Sequence, residues 1–461
     1  MFSRNWRPVV LIAGESCVLM GAVVAGMFVR LGNDSWWLIE QENGLAKGLL
    51  IVAVSQLTLY YSDLYDLRAI GGVRDLIMRL LESIGATSLI LAAVYFLAPD
   101  LIIGRGVFLI SACFIVSFVV GWRLAFAWLT RRVAPRERLL LVGTSDAAVD
   151  LARELFERRL ELGVEIVGFV DPDPARVGIP LINPGVIGTI DDIPSLVSTL
   201  NVDRVVVSLA DARGKLPMGR LLDIRLENGV AFDHLASLYE EYTGKIAVEN
   251  LRPSWLIFSE GFRKTRLLLA AKRALDVIFA TAGLALGFPI MVLVGIAVKC
   301  TSRGPMLYHQ TRVGLQGRIF RVHKFRTMRT DAEVASGPVW STAGDLRVTA
   351  IGGLLRRTRL DEMPQLWNVL VGEMSSVGPR PERPEFVKQL TEQIPYYGQR
   401  RVVKPGLTGW AQVRYTYGAS VEDAIQKLQY DLYYIKNMAV SLDLVIILET
   451  IKTVITRRGA R

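Results

Sequence analysis

Four long apolar runs near the N-terminus set the strongest limit on how this chain folds. They cover residues 9–29, 45–61, 76–97 and 107–129, about the length that crosses a hydrocarbon core of roughly 30 Å. Inside lipid every backbone polar group must be satisfied within the protein, so such runs are read as helices. The second run is short, and the third carries Arg79 and Glu82 near its start. Composition agrees with a membrane protein: 51% of the 461 residues are hydrophobic and the mean hydropathy is +0.34.

Charge gives the runs a direction. Arg4 and Arg7 precede the first run, Arg68, Arg74 and Arg79 lie between the second and third, and Arg131, Arg132, Arg136 and Arg138 follow the fourth. The other two loops hold Asp34, Glu40 and Glu42, or Asp100 with Arg105. By the positive-inside rule the N-terminus and everything after residue 129 face the cytoplasm. Trp36, Trp37 and Trp128 suit interfacial belts, and the first run lacks a small-residue cleavage site, so it is read as an anchor. The net charge of +10 accompanies no RNA- or DNA-binding motif, and its bases serve topology and phosphate binding instead. Cys17, Cys113 and Cys300 lie too far apart in sequence for a disulfide framework or a zinc site. Glu15, inside the first run, is open to a functional or a helix-packing role.

From Arg138 the texture changes to alternating strands and helices. Residues 139–142, 165–170 and 204–208 read as buried strands, with helices after Asp146 and over 191–199. This pattern predicts a Rossmann-like parallel sheet. The turn after the first strand, Gly143-Thr144-Ser145-Asp146, has one glycine where a dinucleotide fingerprint wants three, so a structural or regulatory domain is the better reading. Asp171-Pro172-Asp173 reads as a turn.

A fifth apolar run, 274–298, is interrupted by Gly283, Gly287, Pro289 and Gly295 and flanked by Lys272-Arg273 and by Lys299 and Arg303. Bases on both sides favour a helix that enters the cytoplasmic leaflet, bends at Pro289 and returns; an ordinary fifth span is the alternative. Downstream come Lys324-Phe325-Arg326-Thr327-Met328, a series of arginines through Arg359, and then Asp361-Glu362-Met363-Pro364. Proline pushes its predecessor away from helical angles and suits a first helical turn, which places the two carboxylates where a loop enters a helix near Pro364. Helix-end N–H groups favour anions there. Such a pair alone is more often simply solvated surface, and the motifs around it change the reading. Val421–Asn437 reads as a helix carrying Asp431, and 442–455 as an apolar helix lying in the interface or packing on a partner.

Taken in order, these motifs resemble the bacterial monotopic polyprenyl-phosphate phosphoglycosyltransferases in their large, multi-span form. The resemblance rests on Lys272-Arg273 with Asp276, Pro289, Gly304-Pro305, Gln310-Thr311-Arg312-Val313-Gly314 and Lys324 to Met328. It continues through Leu360-Asp361-Glu362-Met363-Pro364-Gln365-Leu366, Gly378-Pro379-Arg380-Pro381 and Lys404-Pro405-Gly406-Leu407-Thr408-Gly409-Trp410, and covers nearly all of 265–456. Phe288 stands where many relatives have a serine before the helix break. The resemblance implies a membrane protein of class α + α/β: a four-helix transmembrane bundle (1–132), a cytoplasmic Rossmann-like domain (133–262), and a mainly helical catalytic domain (263–461) with its re-entrant helix at 274–298.

It also implies a reaction in which a hexose-1-phosphate moves from a UDP-sugar to undecaprenyl phosphate at the bacterial inner membrane. UMP is released, and the step opens exopolysaccharide synthesis. Asp361 would attack phosphorus to form a covalent aspartyl-phosphosugar, and Glu362 would hold Mg²⁺, a hard cation preferring carboxylate and phosphate oxygens. Lys324, Arg326, Arg359, Arg380 and Pro381 would form the phosphate-binding surface. Asp431 is open to a metal-side or base role, or to a structural helix contact. Membrane lipid is the expected surroundings and a homodimer the expected assembly; glucose or galactose is the expected sugar. A nucleotide-sugar oxidoreductase or epimerase on the Rossmann-like domain, a non-catalytic scaffold, and a glycosyltransferase releasing UDP are the competing classes.

Overall fold

A computed structural model describes residues 6–65, 73–132, 137–157, 159–182, 184–208, 218–248, 261–330, 332, 345, 347–415, 418 and 420–456. Arg4, Arg68, Arg136 and the terminal Arg457-Arg458 are among the residues outside these ranges. The chain divides into two compact units. One comprises Met1–Thr144, Val149–Val205 and Asp211–Phe232; the other comprises Ser145–Ala148, Val206–Ala210 and Asp233–Arg461.

In the first unit the apolar runs form helices α1 (Trp6–Leu31), α3 (Gly44–Tyr61), α4 (Val73–Leu97) and α5 (Arg105–Arg132), with a short α2 (Asp34–Gln41) between the first two. Segments of all four long helices are apolar and long enough to cross a membrane. Helix α1 packs on α5 and α3, and α3 packs on α4. Gly26 lets α1 approach Ser111 of α5 so closely that a Cβ would overlap its hydroxyl, the small-residue contact expected where lipid supplies no hydrophobic drive. Thr58 of α3 shares its hydroxyl with Thr87, 2.7 Å away, and Ser83 of α4 donates to it. Glu15 accepts a hydrogen bond from Arg123 Nε at 2.5 Å, both side chains buried. Arg123 also donates to the Leu64 carbonyl. The packing role therefore accounts for Glu15: its charge pairs α1 with α5.

The parallel sheet has strand order β3-β2-β1-β4-β5, with β1 (Glu137–Val142), β2 (Val164–Asp171), β3 (Val186–Thr189), β4 (Arg204–Val207) and β5 (Ala231–His234). β1 pairs in parallel with β2, and β2 with β3. The central residues of β1 and β2 are almost all buried, the signature of parallel strands covered on both faces. Helices α6 (Asp146–Glu157), α7 (Arg159–Leu162), α8 (Ile193–Thr199) and α9 (Met218–Asn228) connect them. Asp171 accepts from Thr144 Oγ1 and from the Asp173 N–H, and Asp173 caps the following turn through the Ala175 N–H. These bonds account for the Asp-Pro-Asp turn without a ligand.

In the second unit, α10 (Leu235–Thr243) leads towards α11, which runs from Arg266 to Thr301. At 36 residues and 1.5 Å per residue, α11 is about 54 Å along its axis. The buried residues Lys272, Asp276, Ala280, Gly287, Val294 and Val298 follow steps of four and seven and so form one stripe. Leu267, Ile278, Leu286, Phe288, Leu293 and Ile296 are exposed on the remainder. Where the sequence predicts a break, the helix continues through Pro289.

Around α11 are an antiparallel hairpin, β6 (Leu307–Val313) with β7 (Ile319–Phe325), and helices α12 (Ala350–Thr358) and α13 (Gln365–Val371). Strand β8 (Ser375–Val377) pairs in parallel with β9 (Gly406–Thr408), and α14 (Pro384–Gln393), α15 (Trp410–Arg414), α16 (Val421–Asn437) and α17 (Val440–Thr456) complete the unit. Leu390, Tyr397, Trp410, Leu428, Tyr434 and Ile446 belong to one core cluster of this unit. Helix α17 joins that cluster through Ile446 and Ile447, while Leu444, Leu448, Ile451 and Val454 stay exposed, so one face packs within the chain and the other is left for an interface or a partner.

Candidate active site

Three side chains within about one turn of α11 fix the frame of the site. Lys272 Nζ donates to the Val377 carbonyl at 3.0 Å and to Asp443 at 2.7 Å. Arg273 donates to the carbonyls of Val369 and Leu370, both at 2.7 Å, satisfying the open C-terminal end of α13. Asp276 accepts from Ser375 Oγ and from the Ser376 N–H at 2.8 Å. Strand β8, which leads into Gly378-Pro379-Arg380-Pro381, is thus tied to the membrane helix. The Gly378 N–H donates to Thr408 and the Gly406 N–H to Pro379, and a Cβ on Gly406 would lie 2.1 Å from the Gly378 nitrogen. Only glycine permits that backbone approach, which brings the two glycine-bearing motifs side by side.

The carboxylates lie on a short 3₁₀ turn, Leu360–Glu362, between α12 and α13. Helix α12 is N-capped by Thr349, whose hydroxyl accepts from the Gly352 N–H, and it ends at Arg359 in the left-handed region, φ 58°. That conformation is costly for a side-chain-bearing residue and turns the chain sharply into Asp361. Helix α13 begins at Gln365 with Pro364 as its N-cap, as the sequence predicts. Met363, expected to be pushed out of helical angles by Pro364, is instead helical at φ −55°, ψ −37°. Two things override the proline. The Met363 N–H closes the 3₁₀ turn on Leu360, and its side chain lies against Gly287 of α11, where a Cβ would come within 2.3 Å of it.

Glu362 is 9% exposed. Its Oε1 accepts from Lys324 Nζ at 3.0 Å and from Arg380 Nη2 at 2.8 Å, and Arg359 Nη1 lies 3.9 Å from Oε2. Burial alone would raise its pKa, but Arg380, Lys324 and Arg359 together hold it well below the usual carboxylate range. Asp361 is 8% exposed, and its Oδ1 is buried with no hydrogen-bond partner among the described residues. Burial first, and the Glu362 charge second, push its pKa up to about 6, against the opposing pull of Lys324, Arg356 and Arg359. Burial lowers the Lys324 ammonium, with the Glu362 charge working against it. Glu362 is a fixed anion in a cationic clamp, and Asp361 is an unsatisfied carboxylate beside it.

The other site expectations separate. Arg380 is at the centre, donating to Gln412 Oε1 as well as to Glu362, both at 2.8 Å. The Pro381 carbonyl accepts from Arg312 Nη1. Arg326, although next but one to Lys324, donates to the carbonyl and hydroxyl of Ser302 beyond the end of α11, so its contacts are with that turn and not with the carboxylates. Asp431, 1% exposed, accepts from Arg400 Nε at 2.7 Å, while Arg400 Nη1 donates to the Tyr397 hydroxyl and Nη2 to the Arg380 carbonyl. Burial raises the Asp431 pKa and Arg400 opposes it. That places Asp431 two links behind Arg380. Arg312, Arg356, Arg400 and Gln412 are contributors that sequence reasoning did not assign to the site; their nearness to the glycine-bearing and Pro-Arg-Pro motifs was the available signal.

Among the described residues no group of three or more His, Cys, Asp or Glu forms a ready-made metal cage. Mg²⁺ is commonly held by one or two carboxylates together with substrate phosphates. The unpartnered Asp361 Oδ1 and the loosely faced Glu362 Oε2 fit that mode.

Residues 267–457 match the family model described as bacterial sugar transferase, and residues 61–216 match one described as a CoA-binding domain. The chain is 39% identical over 228 residues to a UDP-N-acetylgalactosamine-undecaprenyl-phosphate N-acetylgalactosaminephosphotransferase of Aeromonas hydrophila, covering 50% of this chain and 53% of that protein. It is 32% identical over 361 residues to an undecaprenyl-phosphate glucose phosphotransferase of Komagataeibacter xylinus, covering 77% of this chain and 65% of the relative. Against a UDP-glucose:undecaprenyl-phosphate glucose-1-phosphate transferase of Escherichia coli (strain K12) it is 32% identical over 342 residues, 71% of this chain and 70% of the relative. The matched region thus spans between half and two-thirds of the first two relatives' own length. With both the dyad and its clamp inside the matched region, the chain belongs to the bacterial sugar transferase family.

Proposed function

We propose that this chain transfers a sugar-1-phosphate from a UDP-sugar to a polyprenyl phosphate such as undecaprenyl phosphate, at the cytoplasmic face of a bacterial inner membrane, as the opening step of exopolysaccharide synthesis. The observation that carries the reading is the asymmetry of the dyad: a clamped, ionised Glu362 beside a buried Asp361 with a free oxygen. An Asp361 oxygen attacks the β-phosphorus, the bond from that phosphorus to the bridging oxygen breaks, and UMP departs with the electron pair. A phosphate oxygen of the polyprenyl phosphate then attacks the same phosphorus and releases the Asp361 carboxylate. Lys324, Arg359 and Arg380 offset the charge that builds on the phosphoryl oxygens. Asp361 and Glu362 would hold Mg²⁺ arriving with the donor, where it would screen the pyrophosphate.

The relatives' names support a UDP-sugar and undecaprenyl phosphate, and they include both glucose and N-acetylgalactosamine; the hexose is left open between them. Asp431 acts here as a positioning residue, through Arg400 on the Arg380 backbone. The nucleotide released by membranes given polyprenyl phosphate and a panel of UDP-sugars tests the reaction class. UMP is expected, and UDP as the product would place the chain among ordinary glycosyltransferases.

A further inference from the structure

We infer that His309 and His323, facing each other across the β6–β7 hairpin, form a binding site for a borderline transition-metal ion such as Zn²⁺, separate from the Mg²⁺ proposed at the dyad. The sequence holds three histidines. His234 caps α10 through its Nδ1, and the other two are directly opposed in the register of the hairpin. Their Nδ1 atoms lie 2.7 Å apart, and their rings meet edge-on, at 87° with centroids 4.8 Å apart. The two nitrogens therefore converge on one point.

Convergence of this kind suits a particular class of cation. Imidazole nitrogens favour Zn²⁺, Cu²⁺ and Ni²⁺, whereas Mg²⁺ prefers oxygen. A Zn–N bond is about 2.0–2.1 Å, so two imidazoles at a tetrahedral angle set their nitrogens about 3.3 Å apart. Relative to the observed 2.7 Å, the rings must open by about 0.6 Å, which side-chain rotation supplies. The backbone needs no change and is held on both edges of β7. One edge pairs with β6 from Phe325 to Ile319. At the other, Asn368 accepts from the His323 N–H and donates to the Arg321 carbonyl. Opposed residues on such a ladder keep their Cβ atoms about 5 Å apart, so both rings stay within reach of one ion.

The surrounding charge is compatible with an ion. Burial first, and the His309 ring second, lower the His323 pKa, with Glu373 opposing, which favours the neutral ring that binds metal. The Glu373 carboxylate, held by Asn368 Nδ2 at 2.7 Å, offsets part of the ion's charge, while Arg321 on the same face of β7 is exposed. Among the described residues no third His, Cys, Asp or Glu completes a cage. Water fills the remaining positions at the exposed His309, which makes the ion exchangeable and not a structural one. Its position ties it to the active site. Lys324 follows His323 and donates to Glu362, so an ion joining β6 to β7 stiffens the strand that supplies one arm of the clamp.

The test titrates Zn²⁺ into the full-length protein in detergent by calorimetry. Excess Mg²⁺ occupies the carboxylates, and serines replace Cys17, Cys113 and Cys300, exposed thiols that would compete for the ion. One bound equivalent is expected, weakened about ten-fold or more by His309→Gln and likewise by His323→Gln, because each removes half of a chelate. Without Zn²⁺ the thermal midpoints of both variants should lie within about 2 °C of the parent, as for surface substitutions. Zn²⁺ affinity within about two-fold of the parent in either variant would overturn the inference, since the ion would then rest on one histidine or none. So would absence of the bound equivalent. A measurement on the parent alone is independent of how the variants fold: Cu²⁺ bound in the same background should give the paramagnetic resonance signature of two imidazole nitrogens. Coordination by oxygen only would overturn the site.

Discussion

Asp361 and Glu362 are adjacent in sequence and opposite in electrostatics. Lys324 and Arg380 both hydrogen-bond Glu362, so its negative charge is fixed, and that fixed charge is one cause of the raised Asp361 pKa. A carboxylate held near pH 6 is a stronger nucleophile than one at the ordinary value, while still mostly ionised at neutral pH. The sign of the pH dependence follows. The neutral acid cannot attack, so activity is lost as pH falls through the Asp361 pKa. Measured as kcat/KM for the UDP-sugar, the rate should fall below about pH 6 with a slope approaching ten-fold per unit. A profile flat down to about pH 5 would show that Asp361 is not the group that must ionise. The two carboxylates were legible as neighbours in the sequence. Which one is clamped was not, because the clamp comes from Lys324 on β7 and Arg380 beyond β8, brought in by tertiary packing.

At the scale of elements, helix α11 both carries a long exposed apolar face and braces the site. Residues on either side of Pro289 pack on the same unit: Ala280 against Phe320 and Val369 in one direction, Val294 and Val298 against Phe325 and Leu355 in the other. Gly283 and Gly287 admit Leu366 and Met363 between them. Both halves thus pack on the unit that also holds Lys324, Glu362 and Arg380, which supports the proposal that α11 enters the cytoplasmic leaflet without crossing the whole bilayer. Single cysteines at Ser259 and Ser336, both outside the described residues, should then be labelled from the cytoplasmic face in a background lacking the native three. Pro289→Ala should drive some molecules towards full spanning, with activity falling in proportion. Labelling of the Ser336 position only from the periplasm would contradict the dip. Proline and paired basic flanks gave the sequence-level signal for this helix. Its continuity through Pro289 was invisible there, because it depends on the packing of both halves against β7, α12 and α13.

For the whole molecule, the apolar runs and the alternating sheet segments were legible because each has a local period and a length set by lipid or by a covered sheet. Helix α16 falls at the predicted Val421–Asn437 for a similar reason, with Ser420 and Asp423 forming a capping box. Of the two roles left open for Asp431, its contact with Arg400 fits the structural one, while Arg326 hydrogen-bonds Ser302; the chain order alone shows neither contact. The central claim is that Asp361 becomes covalently phosphorylated by the sugar donor. It is tested most directly by giving the purified full-length protein its UDP-sugar without lipid acceptor, then mapping peptides by mass. The expected result is one sugar-phosphate on the peptide containing Asp361, formed together with an equivalent of UMP and absent from Asp361→Asn. Undiminished turnover by Asp361→Asn under saturating Mg²⁺, with no adduct on that peptide in the parent, would contradict it.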